Sequence, residues 1–230
     1  MTTEILSYAS GSFLVALSAL ISIVNPLGGA LIYHHVTANR PRSERVSLAW
    51  RVAFYSAIVM VSALWIGASL MNFFGVSIEA LRIAGGMVVA ASAWEMLSHS
   101  QQTEDRKQEQ AASAAGTVRE SAFFPLTMPF TTGPGTIAVA IALSASRPSK
   151  ALDLVPFYAG LTGAALTVAA IVGVCYASAD RVVSLLGPAR TRVLSRLSAF
   201  LLLCIGVQIF LTGLQGVISD AIMSAQSARR

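Results

Sequence analysis

Charged side chains are scarce in this chain of 230 residues. Asp, Glu, Lys and Arg make up 12% of it and hydrophobic residues 55%, and the mean hydropathy is +0.67. Soluble domains carry about 25% charged residues, so this composition excludes an ordinary soluble fold. A spanning helix needs about 20 apolar residues, and five runs without Asp, Glu, Lys or Arg reach that length: Ile5–Asn39, Val52–Ile78, Ser121–Ser146, Leu154–Ala179 and Leu197–Ser219. Together with the apolar segment Ile78–His99, which carries three charges, they predict six transmembrane helices in an all-α integral membrane protein.

Side chains for catalysis and metal binding are also few. The chain has two cysteines, Cys175 and Cys204, without a Cys-x-x-Cys motif, and three histidines. Two of these, His34 and His35, are adjacent, so on a helix they point in different directions and do not share a metal. There is no paired Asp within the apolar runs, no His-Glu metal spacing and no Gly-x-Ser-x-Gly motif. We therefore predict that the protein is not an enzyme and binds no metal or cofactor.

The basic residues are unevenly distributed between the loops. Net charge is +5, and the sequence pI is about 9.7. Of the 16 Lys and Arg residues, eleven lie in the first, third and fifth loops and five on the other side. The positive-inside rule then predicts that these three loops are cytoplasmic and that both termini are periplasmic or extracellular, in a multi-pass protein of the bacterial inner membrane. The basic excess therefore indicates topology, and we predict no nucleic-acid partner.

Two of the apolar runs are interrupted in a similar way, one in each half of the chain. The first interruption is Asn25-Pro26-Leu27-Gly28-Gly29, and the second is Met128-Pro129-Phe130-Thr131-Thr132-Gly133-Pro134-Gly135. Because Pro removes a backbone donor and Gly weakens a helix, both predict helices broken near mid-membrane, in the first and fourth spans. Unwound backbone is tolerated there only where it is buried in protein or lines a cavity. Matching interruptions in two halves are typical of a transport site.

The interruptions supply groups for both ends of a zwitterion. Unpaired N–H groups around Gly28, Gly29, Gly135 and Thr136 suit a carboxylate, while free carbonyls and neutral polar side chains suit an ammonium group. The predicted substrate-binding residues are Asn25, Pro26, Gly28, Gly29, Thr131, Thr132, Gly133, Pro134, Gly135 and Thr136. The alternative is a pair of proline kinks that only shape the bundle.

The chain divides at a polar segment in its middle. Residues 98–119 form the predicted cytoplasmic linker, between a three-helix repeat at 1–97 and a second at 120–230. An odd number of spans in each half means that repeated halves run through the membrane in opposite directions. The third and sixth spans both open on Arg, an aliphatic residue and two small ones, at Arg82 and Arg196. We therefore predict a 3+3 inverted repeat within one compact transmembrane domain.

Charges within the third and sixth spans are candidates for coupling or gating. Arg82 and Glu95 are 13 residues apart, or roughly 20 Å along a helix, so both cannot lie far outside a hydrocarbon core of about 30 Å. Arg82, Glu95 and Arg196 are the candidates, with interfacial anchoring as the alternative. Glu95 is the acidic candidate for proton coupling, although its place near the helix end favours a snorkelling side chain.

Small residues at helical spacing predict close helix contacts. Gly86 and Ala90 in the third span, and Gly160 and Ala164 in the fifth, are each four residues apart. This small-xxx-small spacing lets two helix backbones approach. We assign these positions to packing.

An ordered set of segments resembles the MarC family of small bacterial inner-membrane proteins, which are distant relatives of the LysE-type exporters. The segments are Asn25-Pro26-Leu27-Gly28, Leu81-Arg82-Ile83-Ala84-Gly85-Gly86, and Met128-Pro129 followed by Gly133-Pro134-Gly135-Thr136-Ile137. The resemblance extends from about Ser12 to Leu214. It departs from the family pattern at Gly28-Gly29-Ala30, where a more polar or bulkier stretch often follows the first Pro.

The resemblance implies a three-plus-three inverted repeat and, for some members, transport of neutral amino acids such as glycine and alanine. We accordingly predict a secondary transporter that works by alternating access, with H⁺ or Na⁺ as candidate coupling ions. The predicted partners are a neutral amino acid, membrane lipid and, as a candidate, a second copy of the chain. A membrane scaffold or sensor partner without transport, and a passive small-solute channel, are the alternatives.

Overall fold

Helices account for every regular element in the part of the chain that the structure describes. The structure is a computed structural model that describes residues 2–98, 122–148 and 150–227. The helices are α1 (Thr2–Val24), α2 (Pro26–Val36), α3 (Arg42–Phe73), α4 (Ile78–Ser98), α5 (Ala122–Thr131), α6 (Pro134–Ala145), α7 (Ala151–Ala177) and α8 (Ala179–Ser227). Apart from Ser98, the predicted linker 98–119 lies outside the described residues.

Five helical segments are long and apolar enough to cross a membrane. They are Ser7–Val36, Arg42–Phe73, Ile78–Ser98, Ala151–Ala177 and Ala189–Met223. The pair α5 and α6, bent by 65°, makes a sixth span if the two are counted together. Large apolar side chains such as Phe54, Leu166 and Phe200 face outward, as expected for helices in contact with lipid. The prediction of an all-α membrane protein is confirmed for the described residues, which hold five to six candidate spans where six were predicted.

A single residue interrupts the first span. Asn25 has a left-handed backbone (φ 49°, ψ 67°), a conformation that Asn adopts more readily than other residues with a side chain. Its Oδ1 accepts a hydrogen bond from the Gly28 N–H at 3.2 Å. Pro26 then occupies the first position of α2, where its missing N–H costs nothing. These local preferences stop α1 at Val24 and restart the helix at Pro26.

Prolines explain the irregular backbone of the fourth span. The residue before a proline is pushed towards extended conformations. Accordingly, Phe124 (φ −122°, ψ 126°) and Met128 (φ −114°, ψ 127°) are extended inside α5. Gly133, before Pro134, is also extended (φ −77°, ψ −179°). The chain therefore turns sharply between α5 and α6.

The second span begins earlier than its charge-free run. The run predicted Val52–Ile78, whereas α3 covers Arg42–Phe73 and α4 already begins at Ile78. Arg45 and Arg51 lie on α3 because a long helix can continue past the apolar core with its charges at the end. A turn with Gly75 in the left-handed region (φ 77°) separates α3 from α4.

The helices of the two halves interleave. The main partners of α1 are α6, α7 and α8, those of α3 are α5, α6 and α7, and α4 packs on α6 and α8. Within each half, α3 and α4, like α7 and α8, touch only slightly. The principal core of the bundle is therefore built between the halves.

Close backbone approaches occur at three of the predicted small-residue positions, Gly86, Ala90 and Gly160. A Cβ on Gly86 would lie 2.5 Å from the Phe210 N of α8, and one on Gly160 would overlap the Ala9 carbonyl of α1. Along α8, Gly206 faces Ala90 and Gly213 faces Arg82, so α4 and α8 run antiparallel. Small residues thus let these helix pairs cross in direct backbone contact.

Candidate functional site

Tyr176 of α7 links the two helix interruptions. Its hydroxyl lies 3.2 Å from the Thr131 Oγ1 at the end of α5. The same hydroxyl lies directly against Gly29 in the first turn of α2, where an added Cβ would overlap it. Because Thr131 Oγ1 donates to the Leu126 carbonyl at 2.7 Å, the tyrosine is the donor to Thr131. A single buried side chain therefore touches both interruptions.

Asn25 is held by α8 as well as by its own helix. Its Nδ2 donates to the Ser195 Oγ at 2.8 Å, while its Oδ1 caps Gly28. Ser195 is itself buried, at 7% exposure. Both ends of the Asn25 amide are therefore used, which fixes the orientation of the side chain.

Gly135 brings the second interruption against α1 and α4. A Cβ at this position would be 3.6 Å from the Ile23 Cδ1 and 3.8 Å from the Ser92 Oγ. Ile23 lies two residues before Asn25, so the two predicted interruptions are neighbours in space. Space for a small side chain exists here, whereas Gly28 and Gly29 are already in close contact with Asn25 and Tyr176.

Most of the predicted free N–H donors have partners in this conformation. The Gly28 N–H donates to the Asn25 side chain, and the Gly29 N–H donates to the Asn25 carbonyl at 2.9 Å. The Thr136 N–H donates to the Gly133 carbonyl at 3.0 Å. For the Gly135 N–H, the structure shows no acceptor among the residues it describes. Of the four predicted donors, Gly135 is the one left for a ligand.

The predicted hydroxyls are buried, and those of Thr131 and Thr132 are bonded locally. Thr131, Thr132 and Thr136 are each at most 3% exposed. Thr132 Oγ1 donates to the Thr127 carbonyl at 3.1 Å, as Thr131 does to Leu126. Pro134 remains exposed at the start of α6. The interruptions are thus a packed polar region in this conformation, and none of their residues lines the cavity at the other end of the bundle.

The bundle is closed at the end where α2 finishes and α3 begins. Tyr33 stacks on Tyr176 with ring centroids 4.7 Å apart, and its hydroxyl donates to the Arg45 carbonyl at 2.6 Å. The Arg45 guanidinium makes two hydrogen bonds to the Asp180 carboxylate, at 2.9 and 2.8 Å. His34 Nδ1 lies 2.9 Å from the same carboxylate. We call this set of five residues the closed end.

Asp180 is the titratable centre of the closed end. The hydrogen bonds from Arg45 hold the pKa of its carboxyl below the ordinary value of 3.8, helped by the positive charge of Arg45 and by His34. The side chain is half-exposed, so water screens these interactions and the ion pair is a modest stabilising contact.

The opposite end of the bundle holds a cavity of about 660 Å³. It is lined by α1 from Ser7 to Val15, by the end of α6 and the turn after it from Leu143 to Pro148, by Phe157 and Leu161 of α7, and by Arg82 and Ile209. We call this the open end. From Val15 to Asn25 is ten residues along the first span, or about 15 Å deeper into the bundle.

The predicted coupling residues lie in three different environments. Arg82 lines the cavity, whereas Arg196 is exposed on α8 and Glu95 is exposed near the end of α4. The structure therefore does not bring the three together. Among the described residues, no group of three or more His, Cys, Asp and Glu side chains could hold a metal ion.

Sequence reasoning missed three residues of this region: Tyr176, Tyr33 and Ser195. Tyr33 and Tyr176 stand in apolar stretches, and Ser195 stands beside Arg196. Each acquires its role from a partner in another helix, as when Ser195 meets Asn25 at a separation of 170 residues. No local pattern carries that information.

A helical bundle with apolar outer faces, five to six spans and buried polar interruptions defines a multi-pass membrane protein. Residues 11–218 match the MarC family integral membrane protein profile, and the chain belongs to the MarC family. This confirms the resemblance drawn from the sequence segments.

Relatives match over most of their length. The chain is 32% identical over 209 residues to the UPF0056 inner membrane protein MarC of Salmonella typhimurium, covering 89% of this chain and 94% of that protein. The protein of the same description from Citrobacter koseri is 32% identical over 210 residues, with the same coverage. The UPF0056 membrane protein MJ1677 of Methanocaldococcus jannaschii is 27% identical over 206 residues, covering 90% of this chain and 97% of that protein. No solved structure matches the chain significantly.

Proposed function

We propose that the protein is a secondary transporter, not an enzyme, that moves small neutral amino acids such as glycine and alanine across the inner membrane by alternating access. The substrate binds at the interruptions of the first and fourth spans, which lie near mid-membrane. H⁺ or Na⁺ is the candidate coupling ion. The positive-inside rule orients the closed end to the cytoplasm and the open end, with both termini, to the outside.

The observation that carries the proposal is the unequal closure of the two ends. A cavity of about 660 Å³ enters from one end, while stacked tyrosines and the Arg45–Asp180 ion pair close the other. The two interruptions lie between them and share Tyr176. An arrangement open on one side and closed by separable contacts on the other fits one state of an alternating-access cycle.

The packing pattern supports an inverted repeat. An inverted repeat would pair α1 and α2 with α5 and α6, α3 with α7, and α4 with α8. Under this pairing, the α1–α7 contact corresponds to the contacts of α3 with α5 and α6, and the contacts of α1 and α2 with α8 correspond to α4–α6. The α3–α7 and α4–α8 contacts correspond to themselves. The corresponding helices α4 and α8 run antiparallel, as inverted halves require. When the two halves of the sequence are aligned without gaps so that Pro26 matches Pro134, the first residue of α3 matches position 150, next to the start of α7 at Ala151.

Uptake of radiolabelled glycine and alanine into proteoliposomes tests the proposal, with a pH or sodium gradient imposed in separate runs. Gly135→Leu fills the space between α1 and α4, so saturable uptake is expected to fall by about tenfold or more. Ala91→Leu is the matched control because it adds the same side chain to the exposed face of α4, beside Ser92.

The alternatives predict different kinetics. A passive channel gives flux that does not saturate and supports no counterflow. A scaffold or sensor partner gives no flux, and replacing Pro26, Gly133 or Gly135 by Ala leaves its activity unchanged. The absence of uptake by the wild-type protein under every gradient would remove the amino-acid assignment.

A further inference from the structure

Two arginines, and no acidic side chain among the described residues, line the cavity at the open end. Arg82 and Arg147 are the only charged residues among its described lining side chains. The nearest carboxylate on the same helix is Glu79, and its side chain packs against Gly216 of α8 instead of entering the cavity. The lining itself is therefore positively charged, and Glu79 acts electrostatically on Arg82 from outside the lining.

Arg82 is held rigidly at this wall. Its Nε donates to the Ala145 carbonyl at 2.9 Å, and its Nη2 donates to the Arg147 carbonyl at 3.4 Å. These bonds hold the guanidinium against the last turn of α6. They use two of its five N–H donors, and no other acceptor among the described residues is bonded to it. A planar group fixed in this way is prepared to bind an anion through its remaining N–H groups.

Arg147 completes the pair from the turn after α6. Its carbonyl accepts from Arg82, so the two residues are in direct contact. Within the described chain, its own guanidinium makes no hydrogen bond or ion pair. Hydroxyl-bearing residues on the same cavity, Tyr8 and Ser146, add neutral polar groups, while Val15 and Phe157 make other parts of the lining apolar.

We propose that Arg82 and Arg147 form a carboxylate-binding site at the entrance of the cavity, which takes small monocarboxylate solutes before they reach the helix interruptions. The identity of the transported solute, a neutral amino acid, rests on the proposed function. The carboxylate chemistry rests on the cavity alone. Because neither interruption offers a fixed cation, this site supplies the charge that attracts the carboxylate from water.

Equilibrium binding to the full chain in phosphatidylcholine nanodiscs tests the site. The probes are radiolabelled alanine and propionate, which share the carboxylate, and the competitor alaninamide, which lacks it. We expect alaninamide to compete at least about tenfold less well than alanine, as the loss of a charge-assisted hydrogen bond implies. Propionate is expected to bind without the ammonium group.

Two variants address the arginines separately. Arg147→Gln keeps the backbone carbonyl that holds Arg82 and should weaken the binding of propionate about tenfold or more. Arg82→Lys keeps the charge but loses the planar fork, and should weaken it to a similar degree. Lys150→Gln, which removes an exposed cation three residues from Arg147, should bind as the wild type does.

The outcomes separate this site from the proposed function. Binding of propionate that depends on both arginines, without uptake of glycine or alanine, would end the transport assignment and leave the site in place. The site itself is overturned if folded Arg147→Gln and Arg82→Lys proteins bind propionate normally. The carboxylate site is also overturned if added phosphatidylglycerol displaces every bound solute from the wild type but not from Arg147→Gln. That result would mean that the arginines bind a lipid headgroup.

Discussion

Tyr176 connects residues that are far apart in the chain. Its hydroxyl bonds Thr131 and lies against Gly29, and its ring stacks on Tyr33 at the closed end. Any movement that opens the closed end therefore also changes the contacts of both interruptions. Glycine at position 29 is required because the tyrosine oxygen occupies the place of a Cβ.

We expect Gly29→Ala to destabilise the protein and Tyr176→Phe to relieve much of that effect. The added methyl group overlaps the tyrosine oxygen, which costs about 1 to 3 kcal/mol, whereas in the phenylalanine background the nearest ring carbons lie at 3.1 Å. Thermal unfolding of the two single variants and the double variant in detergent gives the coupling free energy. Strictly additive effects would contradict the contact.

The glycines of the interruptions could be recognised from the sequence, but their contacts could not. Proline and glycine act on the local backbone, and this is why the sequence marks Asn25 to Gly29 and Met128 to Gly135 as places where a helix is weakened. The predicted free donors at Gly28 and Gly29 were taken up by Asn25, because a left-handed Asn can cap the helix that follows it. That conformation is visible only in three dimensions.

At the scale of helices, close crossings fix how the spans meet. On α7, Gly160 lies against the Ala9 carbonyl and the Ser12 hydroxyl of α1, while Gly163, one turn further along, makes only an ordinary contact with Phe13 at 3.5 Å. The two glycines lie on the same helix but differ in how closely α1 approaches them. They form a matched pair for testing the crossing.

Gly160→Ala is expected to lower the free energy of unfolding by about 1 to 3 kcal/mol, because a helix backbone cannot move aside as a side chain can. Gly163→Ala should be neutral or stabilising by up to about 1 kcal/mol, through helix propensity. Thermal unfolding in detergent compares them. Equal losses in both variants would mean that the crossing at Gly160 is looser than described.

The spans themselves follow from hydropathy, since each is apolar over the length a bilayer requires. Their ends do not. Arg45 and Arg51 lie on α3, and the closed end depends on Arg45 reaching Asp180 at the start of α8. A charge count places such residues in a loop, because it cannot distinguish a solvated turn from the end of a long helix.

For the whole molecule, the ion pair of the closed end predicts a dependence on pH. The pKa of Asp180 in the folded protein is below its ordinary value of 3.8, so its stabilising effect is fully present above that value and is lost as the pH falls through the lowered pKa. We expect Asp180→Asn to melt at most a few degrees below the wild type at neutral pH, as for an exposed ion pair.

Melting temperatures of the two proteins should begin to converge below pH 3.8 and coincide below the lowered pKa of Asp180, where the carboxyl of the folded wild type also becomes neutral. Thermal unfolding in detergent over a series of pH values measures the difference directly. A difference in melting temperature that stays constant into the acidic range would show that the variant acts through packing and not through charge.

The interleaved halves also have a consequence for biosynthesis. Because α1, α3 and α4 find their main partners among α5 to α8, the first helices to leave the ribosome enter the membrane before the surfaces that cover them exist. Until synthesis of the second half is complete, lipid or the insertion machinery must occupy the faces that later contact protein. A ribosome stalled within residues 98–119 would leave the first helices without any of their partners from the second half.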